Sequence, residues 1–146
     1  MLLAILALLA CKGENAGRTS ARPAGNGYEI KSNDNGFKLR TSDGTLLWKV
    51  RISEDKIKVS NNEENANAFE LKAREGDRTK VFAPGDQELG NVRFDGAKIE
   101  VENAVGKTLT TIPATRPSAA YGLLLCEGIP PDQRDLLIAE IIARGR

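Results

Sequence analysis

Between Tyr28 and Ile112 apolar and polar residues alternate with a period of two, and turn chemistry interrupts them every few residues. Alternation of this kind places apolar side chains on one face of a strand and polar ones on the other. Tyr28-Glu29-Ile30-Lys31 alternates, and Asn33-Asp34-Asn35-Gly36 supplies a turn. Phe37 to Thr41 alternates again, and Asp43-Gly44 is a hairpin signal. Leu47, Trp48, Val50 and Ile52 mark the next strand, Ile57 and Val59 another, followed by a polar run from Ser60 to Asn65. Phe69, Leu71 and Ala73 alternate with Glu70, Lys72 and Arg74; Val81-Phe82, Val92 with Phe94, Ile99 with Val101, and Leu109 with Ile112 complete the series. Nine or ten short strands joined by tight turns predict an antiparallel meander with one wet face.

One spacing recurs within this region. Gly44-x-x-Leu47-x-x-Val50, Asp86-x-x-Leu89-x-x-Val92 and Gly106-x-x-Leu109-x-x-Ile112 share it, which fits a unit of about 20 residues with one degenerate copy. Repeated turn chemistry in a hairpin array and true duplication both account for it.

The C-terminal third changes character. Pro113 and Pro117 end the alternation, and Ser118 to Glu127 is an apolar run. Pro117 suits a helix N1 position and Gly128 a C′ stop, but a buried strand fits equally. From Pro130-Pro131 a helix is predicted over 132–144, with Asp132 as its N-cap. Only Asp135, Glu140 and Arg144 interrupt its apolar surface, so it calls for burial on several sides. The fold class expected is mainly β (α+β): a meander forming a small barrel or sandwich, with a buried C-terminal helix.

The N-terminal residues have a different pattern. Leu2 to Ala10 is uniformly apolar, short of the roughly 20 residues a bilayer span needs but within the length of a signal-peptide core. Leu8-Leu9-Ala10-Cys11 resembles the lipobox of bacterial lipoproteins, with Leu8 at −3 and a small residue at −1, although Leu9 is bulkier than the usual residue at −2. The resemblance implies a signal peptide over 1–10, cleavage before Cys11, and a lipid on the Cys11 sulfur. Residues 12–27, KGENAGRTSARPAGNG, carry no large apolar side chain and are expected to form a flexible tether, so that lipid and tether together occupy 11–27. A single β-rich domain is then expected over 28–146. Lys12, in the place of the Asp that marks inner-membrane retention in such lipoproteins, points to an outer membrane facing the periplasm.

Composition narrows the chemistry. The net charge is +1, without the basic excess of a nucleic-acid binder. There is no histidine, which removes Ser-His-Asp and Cys-His catalysis and every His-containing metal site. With Cys11 lipidated, Cys126 has no partner for an internal disulfide and reads as a buried, inert thiol. Asn33-Asp34-Asn35-Gly36 has the opening of a calcium loop but lacks the Glu at its twelfth position, so a β-turn is expected there. Lone Trp48 reads as core. Lys49, Arg51, Lys56 and Lys58 fall on neighbouring strands, where a shared outward face would bind anionic headgroups or wall polymer; the bland alternative is a solvated strand face.

The repeated hairpins and the helix Asp132 to Arg144 resemble the tubby and LURP-one type fold, a twelve-stranded barrel closed around a hydrophobic C-terminal helix. That resemblance implies lipid binding, but the family's basic ligand cluster has no match assigned here. Taken together, the sequence predicts a lipid-anchored protein of the bacterial cell envelope with a non-enzymatic binding or structural role. It predicts no catalytic residue, no metal site and no cofactor, with the membrane as partner. The alternatives are a tubby-like lipid-binding module and a hydrolase using Asp and Glu on a barrel rim.

Overall fold

The computed structural model describes residues 20–146. Cys11, the signal segment and the first part of the expected tether lie outside them. Ten strands follow one another: β1 Ser20–Gly25, β2 Tyr28–Asn33, β3 Gly36–Thr41, β4 Leu46–Ile52, β5 Lys56–Ser60, β6 Phe69–Arg74, β7 Arg78–Phe82, β8 Glu88–Phe94, β9 Lys98–Asn103 and β10 Thr108–Pro113. Each pairs antiparallel with the next, giving one sheet in sequence order. A 3-10 helix, Ala119–Leu125, and an α-helix, α1 Pro131–Ala143, complete the chain. The mainly β class with a packed C-terminal helix is therefore the observed one. The closed barrel is not: the sheet is open, with β1 and β10 as its edges.

The sheet also starts earlier than the pattern implies. Ser20–Gly25, inside the expected tether, is strand β1. Its inward positions carry Arg22 and Ala24 where other strands carry large apolar residues, so no alternation is visible. Asn26 (φ 53°) and Gly27 (φ 79°) turn the chain back, with the left-handed angles that an Asn-Gly hairpin turn requires. Pro23 is tolerated because β1 is an edge.

The recurring spacing has a structural cause. In the β3–β4, β7–β8 and β9–β10 hairpins the loops are 41–45, 83–87 and 103–107. Each makes the same two bonds: Thr41 N–H to Thr45 O and Gly44 N–H to Thr41 O, with equivalents at Ala83/Gln87/Asp86 and Asn103/Lys107/Gly106. The fourth loop residue is left-handed in all three: Gly44 φ 94°, Asp86 φ 69°, Gly106 φ 86°. Three residues later, Leu47, Leu89 and Leu109 fall in the register shifts of their ladders, each the extra residue of a β-bulge. The bulge resets the parity of the strand. Leucine and the Val or Ile three residues on therefore fit one motif although an unbroken strand would put them on opposite faces. The β5–β6 hairpin is the departing copy: Val59 pairs with Phe69 across a nine-residue connection, 60–68.

The inner face is covered in two parts. The 3-10 helix lies over β6–β9, and α1 packs against it. α1 also reaches β1–β4 through side chains. Tyr28 Oη donates to Asp132 Oδ2 at 2.7 Å, and Trp48 Nε1 donates to Gln133 Oε1 at 2.7 Å. Glu140 accepts from Arg22 and from Arg144 (3.0 Å), whose guanidinium also donates to Ser32 Oγ at 2.7 Å and sits over the Phe37 ring. The core runs through Phe37, Leu39, Val50, Ile57, Val59, Leu71, Val81, Val101, Leu123, Leu137 and Ile141. Two helix boundaries are corrected. Pro130, not Asp132, is the N-cap of α1, and Asp132 sits in its first turn, accepting from Tyr28. Ser118-Glu127 resolves as the 3-10 helix, capped by Ser118, whose Oγ accepts from Ala120 N–H. Gly128 is not a left-handed stop: it packs so near Phe69 that a Cβ would lie 3.2 Å from the ring.

Candidate functional site

The four sequence-predicted basic residues share the outer face of β4 and β5. Strand parity decides this: Val50, Ile57 and Val59 turn inward to the core, which sends Lys49, Arg51, Lys56 and Lys58 outward. Arg51 lies directly opposite Lys58, and Lys56 directly opposite Lys72 on β6. The pattern extends across the sheet. Lys31, Lys38 and Lys49 are consecutive partners over β2–β4, Lys72 faces Lys80 on β7, and Arg78 faces both Arg74 and Arg93. Like charges placed directly opposite destabilise a ladder. The acids that offset them are Glu63, Glu70, Glu88, Glu100 and Glu102, each in an ion pair with this face.

The four residues are not equivalent. Lys49 is occupied: its Nζ donates to Glu63 O at 2.6 Å. Glu63 in turn pairs with Lys38 at 2.7 Å and Arg40 at 3.7 Å, so three cations clamp the 60–68 connection over the outer face. The hydrogen bond from Lys38 holds the Glu63 carboxyl below its ordinary range. Lys58 lies 3.8 Å from Glu70. Arg51 and Lys56 have no ion-pair partner among the described residues.

Two hollows flank Arg51. One, about 330 Å³, is lined by Asn33, Asp34, Asn35, Lys49, Val50 and Arg51. The second, about 170 Å³, is lined by Arg51, Ser53, Lys56, Lys58, Glu64 and Asn65. Asn65 comes from the nine-residue connection and is buried, with a left-handed backbone (φ 58°) that Asn tolerates. Sequence reasoning read Ser60 to Asn65 only as a polar break between strands. A signal was present: this connection is where the repeat degenerates. Asn33-Asp34-Asn35-Gly36 is a turn, as expected, with Asn35 N–H donating to Asn33 Oδ1 at 2.9 Å.

Two further hollows lie elsewhere. One of about 170 Å³ sits among Arg74, Asp77, Phe94 and Pro117. The other, about 530 Å³, is largely apolar and collects two bulged leucines, Leu89 and Leu109, with Phe69, Leu124 and Leu125. Each of these four hollows is lined by a single Asp or Glu. No group of three His, Cys, Asp or Glu residues able to hold a metal occurs among the described residues. Cys126 is buried beside the 3-10 helix, and burial pushes its thiol up to about 12, far from the range of a nucleophile. Comparison with family models, curated proteins and solved structures finds no match to this chain.

Proposed function

We propose that this chain is a lipid-anchored protein of the bacterial cell envelope, held by Cys11, whose β domain is a non-enzymatic binding module for an anionic partner. The observation that carries the binding reading is the outer face of β2–β8, where lysines and arginines stand directly opposite one another. Acids on this face offset part of that arrangement, but Arg51 and Lys56 keep no ion-pair partner among the described residues, and a negatively charged partner supplies one. The anchor rests on Leu8-Leu9-Ala10-Cys11. Binding is favoured over hydrolysis because a glycosidase-type site needs two converging carboxyl groups, and each hollow offers one.

The test is fractionation of cells making the wild type or Cys11→Ser, with the mass of the mature N-terminus. The wild type is expected in membranes, starting at Cys11 and carrying acyl chains, and C11S in the soluble fraction. Retention of C11S in membranes sinks the anchor.

A further inference from the structure

The hollow of about 170 Å³ beside Arg51 has an uncommon combination of groups. Three cations border it, Arg51, Lys56 and Lys58, against one lining carboxylate, Glu64. Two of those cations, Arg51 and Lys58, are forced together as direct cross-strand partners. Lys58 has a distant ion pair with Glu70, whereas Arg51 and Lys56 have none among the described residues. The space admits several water-sized groups, so it admits a ligand fragment of several heavy atoms.

Asn65, 5% exposed, is a fixed wall of the hollow. Its Nδ2 donates to Ser60 Oγ at 2.8 Å and to Lys49 O at 3.3 Å. A carbonyl oxygen only accepts, so these bonds fix which way the amide faces. Its Oδ1 is then left buried with no donor among the described residues. That oxygen has no contact with solvent, so a group in the hollow does not reach it. The hollow thus offers cations to an anion and one unengaged acceptor, the Glu64 carboxylate, to a hydroxyl donor. A bare anion satisfies only the first set. A polymer of plain sugar satisfies only the second.

We infer that this hollow is a binding site for a phosphorylated polyol, with the phosphate held by Arg51, Lys56 and Lys58 and a hydroxyl donated to the Glu64 carboxylate. The chemistry is shared by a free glycerol phosphate and by the headgroup of phosphatidylglycerol. The inference deepens the binding reading above and does not depend on the lipid on Cys11.

The test uses the full chain carrying Cys11→Ser, so its outcome is separate from that of the anchor. Glycerol 1-phosphate, inorganic phosphate, and vesicles of phosphatidylcholine with or without phosphatidylglycerol are titrated while the amide signals of 56–65 are followed. Glycerol phosphate is expected to bind roughly threefold to tenfold more tightly than phosphate, the value of one added hydrogen bond. Arg51→Gln with Lys56→Gln is expected to weaken binding by roughly a hundredfold, about tenfold for each charged contact, with the melting temperature unchanged. Lys107→Gln, in the exposed β9–β10 loop and not lining the hollow, is the control and is expected to leave binding intact. Binding of soluble glycerol phosphate assigns a free ligand; binding of phosphatidylglycerol vesicles alone assigns the headgroup. The inference is overturned if neither binds, if phosphate binds as well as glycerol phosphate, or if Lys107→Gln weakens binding as much as the double variant does.

Discussion

Glu140 shows how far one residue can depart from its pattern. In the sequence it is one of three polar interruptions of an apolar helix; in the structure it is 8% exposed and faces the sheet. It holds Arg22 of the first strand and Arg144 at the end of α1, and Arg144 carries the link on to Ser32 and Phe37. The carboxylate thereby ties its helix to Arg22, 118 positions earlier in the chain. Removing one member of a buried pair leaves the other charge uncompensated, at roughly 3–5 kcal/mol when both are fully buried. The Arg22 side chain is 52% exposed, so water recovers part of that loss. Glu140→Gln is therefore expected to cost about 2 kcal/mol, below the fully buried figure. A urea titration checks this, and a midpoint equal to the wild type would contradict it. Asn65 is the other residue whose role the pattern hid, because a turn-forming Asn and a buried Asn that ties a connection to Ser60 and Lys49 look alike in sequence.

At the scale of elements the hairpin is the unit. Its glycines serve two distinct purposes, and two substitutions separate them. Gly44 sits at the left-handed fourth position of its loop, and a Cβ there meets nothing within 4 Å. Gly44→Ala should therefore meet only the strain of a left-handed backbone, about 1 kcal/mol. Gly90, in β8, lies against β9, where a Cβ would fall 2.0 Å from Glu102 O. Gly90→Ala must push the two strands apart and should cost about 3 kcal/mol or more. Equal melting temperatures for the two variants would refute the distinction. The spacing of turn, leucine and Val or Ile was legible because it repeats. Its cause, a bulge that places Leu47, Leu89 and Leu109 outside the regular ladder, was not legible, since period-two reasoning assumes an unbroken strand. β1 was missed for a related reason: Arg22 takes an inward position in place of an apolar residue, and the Asn26-Gly27 turn was the cue left unused.

For the molecule as a whole, the thiol of Cys126 reports on folding. Burial raises it from an ordinary 9.0 to about 12. Below pH 9 the thiol is neutral whether the chain is folded or not, so its contribution is fully present. Above pH 9 the unfolded chain ionises first and the folded chain does not, which favours unfolding progressively up to pH 12. The stability of the wild type relative to Cys126→Ala is thus expected to fall between pH 9 and pH 12. Denaturant melts at stepped pH measure it, and a difference that stays flat across that window would show the thiol is not shielded. In the same frame, the native Cys126 should resist thiol reagents at pH 8 and react once unfolded.

The mainly β class, the strand series from Tyr28 to Ile112, the C-terminal helix and the outward side of Lys49, Arg51, Lys56 and Lys58 follow from the sequence alone. Alternation and turn residues are local, and parity along a strand assigns faces without knowledge of neighbours. The tertiary structure decided what depends on distant partners. It made the sheet open instead of closed and brought Ser20–Gly25 into it. It buried Glu140 by bringing Arg22 of β1 to the carboxylate that the neighbouring Arg144 already holds. It also folded the 60–68 connection over β4 and β5, committing Lys49 to Glu63 while setting Asn65 beside Arg51, Lys56 and Lys58. Cross-strand register and the path of a long connection are set by packing between remote segments, and no window of sequence contains them.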